Sequence, residues 1–373
     1  MSYISTTLPK YLAKNGIEVH LITTNLAPYF QRGSAKDIFG ENFDFGNPNQ
    51  IENGYHVHTL NAIRVLGLVI PLGFYKKLFE ISPNYVSFFS AIGFPQLVAC
   101  IFKYFLRYKL TIGNHTGLTA LSFYPRQSVL RDGIKLLLGK FINLFSDFCI
   151  VPTNDCAHVA STNFSVSKRK IIKLPLPVDT EIFNPSDDEG ILKIRNNLLS
   201  KVGINLNDFV ILFSGKFSST RDLSIFNKAS KQLRAHGFPV SVILIGHGEG
   251  IKNIDDTKHI KILPFMPLDK LANFFRISDL GVWLEETTSF LDAVCCGLPL
   301  LLSSQVQDTS HLKNYSITYA SNNSDDFILK LKNIIEDKEL QLSIRKYALE
   351  NSHKDFSGTN YAVKYLDIIQ SKI

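Results

Sequence analysis

Two basic residues five positions apart, Lys216 and Arg221, follow an apolar run and a glycine, Gly215. At the carboxyl end of a strand, such a pair faces the region where ligands bind in open α/β sheets. Preorganised cations there neutralise an anion. On residue types alone, two solvated loop cations are the stronger reading. A second group is Thr287, Thr288, Ser289 and Asp292. Ser-x-x-Asp before an apolar stretch has the form of a capping box. A helix opening at Ser289 offers N–H groups and the positive end of its dipole to an anion, and the three hydroxyls add donors. Alternatively, Asp292 only caps its helix. Glu285 and Glu286 stand just before this group, as surface charges or as ligand contacts. Gly246 and Gly248 flank His247 after another apolar run. Glycine admits positive φ and close approach of a ligand, and a tight turn needs the same freedom. His115 lies in the polar loop Gly113-Asn-His-Thr-Gly117. It is either a ligand contact or a hydrogen-bonded loop histidine, and nothing marks it as a general base.

Strands must carry these groups. Short β-branched or aromatic runs occur at 18–23, 55–59, 85–89, 110–113, 148–152 and 171–175. A second series occupies 209–213, 240–245, 260–263, 280–283, 298–302 and 316–319. They hardly alternate in polarity, as parallel strands buried on both faces do. The segments between them are long enough for crossover helices. Two successive α/β layers result. The expected division is a first domain over 1–178, a Pro-rich acidic linker over 179–190, a second domain over 191–355 and a closing helix within 356–373. Ile4, Leu8, Tyr11 and Leu12 have helical spacing, and Asn15-Gly16 then reads as a C-cap. The chain thus opens inside a helix that a strand and a phosphate-binding loop would ordinarily precede, and that strand is expected to be missing.

Composition narrows the class. The chain has 373 residues, of which 45% are hydrophobic, enough for two domains with real cores. The net charge of +7 comes from scattered Lys and Arg without a basic run. That argues against a nucleic-acid partner and suits acidic ligands or an anionic membrane surface. The five cysteines form no C-x-x-C pair and no cluster with histidine. No metal site and no disulfide framework is expected, and reduced cytoplasmic thiols are. No signal peptide and no apolar run of membrane-spanning length is read. Three stretches, 74–78, 97–109 and 136–145, mix aromatic or apolar residues with Lys and Arg. Singly they read as core-facing helices with a basic outer face. Together they read as a peripheral docking face for an anionic membrane, on the inner side of the cytoplasmic membrane.

Several stretches resemble, in order and spacing, landmarks of family 4 glycosyltransferases of the GT-B fold. Residues 8–24 resemble the family's first helix and second strand, and Asn114-His115-Thr116 its His-bearing loop. Pro175-Leu-Pro-Val-Asp-Thr-Glu-Ile-Phe-Asn-Pro185 is similar to its interdomain signature. Ser214-Gly-Lys-Phe-Ser-Ser-Thr-Arg-Asp222 is similar to the loop with two basic residues, and Ile243-Leu-Ile-Gly-His-Gly-Glu249 to its Gly-x-Gly turn. Ser289-Phe-Leu-Asp-Ala-Val-Cys-Cys-Gly-Leu-Pro-Leu300 resembles the helix, Gly-x-Pro and strand that close the donor site.

The resemblance implies two Rossmann-like domains facing across a cleft, with parallel sheets flanked by helices. It implies transfer of a sugar from a nucleotide-diphosphate sugar to a glycan or lipid-linked acceptor, with retention, no metal and no cofactor beyond the donor. Surface-polysaccharide synthesis is the family's analogy. It turns Lys216 and Arg221 into binders of the donor diphosphate, though the family's usual order is Arg then Lys. It gives Asp292 a ribose contact, Gly246 and Gly248 a base contact, and His115 a place beside the transferred sugar. The family's second acid falls at Leu284, so Glu285 or Glu286 would have to replace it. The closing helix would cross back to the first domain. Two other readings stand beside this one: a truncated, inactive nucleotide-sugar-binding protein, and a sugar-nucleotide epimerase.

Overall fold

In a computed structural model of the chain, the described residues are 4–26, 50–65, 68–118, 129–186, 188–217, 223–251, 254–285, 287–306 and 308–371. Two compact units emerge, one built mainly from residues 8–176 and the other mainly from 177–373.

The chain opens with α1 (Ile4–Lys14), which buries Leu8 and Tyr11. Gly16, at φ 78°, ends it in the left-handed conformation that a side chain disfavours. β1 (His20–Thr24) follows, then β2 (Gln50–Glu52), β3 (Tyr55–Leu60), β4 (Ala62–Val65) and β5 (Leu68–Pro71). β1 pairs in parallel with β3, but β2–β3 and β4–β5 are antiparallel hairpins. The first hairpin turns on Asn53 and Gly54, both at positive φ, as a two-residue primed turn requires. The rest of the unit is α2 (Phe74–Ile81), β6 (Tyr85–Ser87), α3 (Phe94–Leu106), β7 (Lys109–Gly113), α4 (Val129–Phe145), β8 (Phe148–Val151), α5 (Asn154–Asn163) and β9 (Ile171–Lys173). β6-β7-β8-β9 form a parallel sheet of their own. All six strands read from the sequence in this unit are present and pair in parallel. Its strands fall into separate sheets, and the Asn-Gly turn builds an antiparallel pair. Leu110, Ile112, Cys149 and Val151 fill the core with Cys100, Ala99 and Leu78 from the helices. All five cysteines are buried and free.

The outer faces of α2, α3 and α4 are apolar. Tyr104 and Phe105 are each 74% exposed, Leu137 68% and Leu144 73%. Phe79 and Tyr75 lie against Phe102, and Tyr104 against Phe145, so the rings form two aromatic groups on these helices. Two residues assigned to this face belong elsewhere. The Lys103 ammonium bonds both carboxylate oxygens of Asp147, and Tyr108 lies in the core with its hydroxyl on the Ala99 carbonyl.

The second unit contains α6 (Asp188–Val202), β10 (Phe209–Lys216), α7 (Ser224–Ala235), β11 (Val240–His247), β12 (Ile260–Leu263), α8 (Leu268–Ile277) and β13 (Leu280–Trp283). It continues with α9 (Ser289–Cys295), β14 (Leu300–Ser303), β15 (Ser316–Tyr319), α10 (Ser324–Glu336), α11 (Lys338–Phe356) and α12 (Gly358–Ser371). Its six strands are all parallel, in the order β12-β11-β10-β13-β14-β15. β13 and β14 are buried throughout, and β10 and β11 nearly so, as their unbroken apolar runs require. The segment after Pro177 is pinned to this unit. Val178 bridges to Ser357, Phe183 is fully buried beside Phe275, and the Arg276 guanidinium donates to the carbonyls of Ile182 and Asn184.

Candidate functional site

The strand order of the second sheet runs outward in both directions from β10 and β13. That reversal is a topological switch point, and the crevice beyond the carboxyl ends of those two strands is where such sheets bind ligands. β10 extends further than its apolar run. Its register with β11 continues through Gly215 opposite Gly246 and Lys216 opposite His247. Lys216 is therefore the last strand residue, exposed at the carboxyl edge, with exposed His247 beside it. A strand holds a cation more firmly than a loop does.

β13 delivers Trp283 to the same edge. The Trp283 indole N–H donates to the Ser289 hydroxyl at 2.9 Å and lies 3.2 Å from the Ser214 carbonyl. The Ser289 hydroxyl donates in turn to that carbonyl at 3.3 Å. Trp283 and Ser289 are fully buried, and the indole lies beside Phe275 and Phe290. A Cβ at Gly281 would stand 2.4 Å from the indole, so only glycine leaves room for it. This triangle ties the first turn of α9 to the end of β10, two residues before Lys216.

The capping-box reading at α9 is corrected. Thr288, not Ser289, occupies the N-cap position and makes no side-chain cap bond. Ser289 is the first helical residue, and its hydroxyl is spent on Trp283 and the sheet, so it neither caps nor faces a ligand. Asp292 lies fully buried inside the seven-residue helix. Thr288 and Glu285 are half-buried at the mouth of the segment. Arg221 and Glu286 lie outside the described residues.

The two glycines of β11's end have a packing explanation. A Cβ on Gly246 would sit 1.9 Å from the Gly215 carbonyl oxygen and 2.9 Å from the Phe217 ring. Gly248, at φ 139°, would meet the Phe217 carbonyl at 2.2 Å. The close approach that requires glycine is thus made by the chain itself. Phe217 is buried and donates its N–H to the His247 carbonyl, which seals the edge of the sheet.

His115 belongs to the first unit, just past the end of β7. Asn114 shapes its loop: the buried amide donates to the carbonyls of Thr116 and Cys156 and accepts from the Thr116 N–H. Asp155, in the first turn of α5, accepts from the Leu118 N–H and from the Thr153 hydroxyl. Burial pushes the His115 imidazole down to about 4, so the ring is neutral at pH 7 and rests near Phe89. A group that weakly basic is no general base at neutral pH.

Trp283 was not marked in the sequence as part of the site. Its partners lie 69 residues away at Ser214 and six away at Ser289, and no local pattern links them.

Residues 194–351 match the family described as glycosyl transferases group 1. HepE of Anabaena, solved with UDP, superposes with a TM-score of 0.68 at 15% identity, covering 84% of this chain and 86% of its own. A glycosyltransferase from Rickettsia africae gives a TM-score of 0.70 at 13% identity, covering 99% and 93%. The sucrose-phosphate synthase of Thermosynechococcus elongatus gives 0.68 at 13% identity, covering 98% and 91%. No curated protein matches the chain in sequence. The fold is that of these GT-B glycosyltransferases, and its second unit carries, over residues 194–351, a glycosyl transferases group 1 domain.

Proposed function

We propose that the protein transfers a sugar from a nucleotide-diphosphate sugar to a glycan or lipid-linked acceptor, with retention and without a metal at the diphosphate. The carrying observation is the switch point, where Lys216 ends β10 and the first turn of α9 is held against the same strand by Trp283 and Ser289. When the bond from the anomeric carbon to the diphosphate breaks, negative charge grows on the departing phosphate. Lys216, with Arg221 five residues on, meets that charge, and cations already in place cost no reorganisation. Retention requires the acceptor oxygen to bond the anomeric carbon on the face the diphosphate leaves. Neutral His115 contacts the sugar rather than taking a proton. The solved HepE complexes with UDP and with UDP-glucose support a donor of this class. The apolar face of α2, α3 and α4, with exposed Lys76, Arg107 and Lys140 on or beside it, docks on the anionic membrane that presents a lipid-linked acceptor.

Calorimetric titration with a panel of uridine, guanosine and adenosine diphosphate sugars identifies the donor. In Lys216→Ala, donor turnover should fall by about 10², with the circular dichroism spectrum unchanged. Undiminished turnover in Lys216→Ala/Arg221→Ala overturns the site. Donor binding without turnover on any glycan or lipid-linked acceptor favours the inactive binding protein instead.

A further inference from the structure

Two pairs far apart in sequence, Glu18 with His20 and His56 with His58, meet on one face of the first unit's β1–β3 pair. The parallel register sets His20 opposite His56. Strand alternation puts His58 on the side of His56, and Glu18, two residues before β1, reaches the His20 ring. Tyr55 and Val57 take the buried face. The three imidazoles stack nearly parallel, with ring centroids 4.7 Å apart for His20 and His56 and 5.2 Å for His20 and His58. His20 Nδ1 lies 2.9 Å from His58 Nε2, and its Nε2 lies 3.1 Å from the Glu18 carboxylate. One ligand atom each from Glu18, His20 and His56 falls within 4.8 Å of the others.

We propose that these residues form a binding site for a divalent transition-metal ion of the zinc class. Imidazole nitrogen with one carboxylate is a donor set that suits zinc, nickel or copper and not magnesium or calcium. Ligand atoms around a tetrahedral zinc stand about 3.4 Å apart, so modest rotamer changes close the observed set on an ion. The histidines are only partly exposed and the carboxylate is open to solvent, which leaves a path of entry. The group lies toward the amino ends of β1 and β3, the edge opposite to where such sheets bind substrates. The ion is therefore a clamp joining two strands 36 residues apart, not a participant in sugar transfer, and the inference does not depend on the proposed function. The sequence concealed it because no two histidines have ligand spacing on one helix and no cysteine accompanies them.

The test uses the full chain, free of any histidine tag and stripped of metal, titrated with zinc chloride by calorimetry and with cobalt chloride by visible absorption. One ion per chain, with a raised thermal midpoint, is expected. Glu18→Gln should weaken binding about tenfold and His20→Asn/His56→Asn about 100-fold, while His158→Asn, on α5, leaves it unchanged. Circular dichroism checks that each variant is folded, and the exposed Glu18→Gln change serves if the double variant is not. No stoichiometric uptake, or equal affinity in Glu18→Gln and the double variant, overturns the site.

Discussion

His115 illustrates how burial, not sequence, sets a residue's chemistry. Its loop is drawn inward by Asn114 and Asp155, and burial lowers the imidazole from 6.5 to about 4. The unfolded chain then binds a proton on this ring below pH 6.5 that the folded chain refuses. Stability tied to His115 is full above pH 6.5 and is lost progressively as the pH falls toward 4, by at most about 3 kcal/mol. Urea unfolding of His115→Gln should show a shallower loss of stability between pH 6.5 and 4 than the unaltered protein. Parallel pH profiles would remove the imidazole from this account. Lys216 is the contrasting case. Its type and place after Gly215 were visible in the sequence, but its position inside the β10–β11 ladder was not.

At the scale of elements, the edge of the second sheet depends on absent side chains. β10 and β11 stay paired to their last residues because Gly246 lets the Gly215 carbonyl and Phe217 pass over it. Gly246→Ala should cost about 2 kcal/mol, because the obstructing atom is backbone and cannot turn aside. Gly237→Ala makes a useful comparison: it has open space and only its φ of 86° to oppose it, so it should cost less. Urea midpoints for the two variants decide the matter, and equal costs would show that the β10–β11 approach is not tight. α9 is similarly conditioned. Its stop was legible from Cys-Cys-Gly-Leu-Pro, and Gly297 does end it, at φ 81°. Its start at Ser289 was legible too, but its cap was not. The capping-box pattern reports only hydrogen bonds made within the segment, whereas Ser289 is claimed by Trp283 and the Ser214 carbonyl.

Within the whole molecule, the first unit carries exposed apolar side chains on α2, α3 and α4. Tyr104 and Phe105 are among them, with Phe102 beside Phe105, and so are Leu137 and Leu144 on α4. No described helix is long and apolar enough to cross a membrane. The proposed docking is thus of a surface, driven by ring burial and by nearby basic residues. Cosedimentation should find the protein on phosphatidylglycerol vesicles and much less on phosphatidylcholine. Tyr104→Ser/Phe105→Ser should weaken that binding about tenfold or more without altering donor affinity in solution. Equal binding to both vesicle types would rule out the charge component, and binding unchanged by the double substitution would rule out the face.

By itself the sequence determined the parallel β10–β15 core, because strands buried on both faces need unbroken apolar runs and leave them legible. It also placed basic Lys216 after Gly215, since residue type and order do not depend on folding. Tertiary structure alone decided which distant groups meet. The Trp283–Ser289–Ser214 triangle spans up to 75 residues, and the histidines of β1 and β3 face one another through strand register. It also decided which charges remain available, for Lys103 is taken by Asp147, 44 positions away. Local pattern records how a segment satisfies itself. Contacts between segments arise from register and burial, and no single segment contains either.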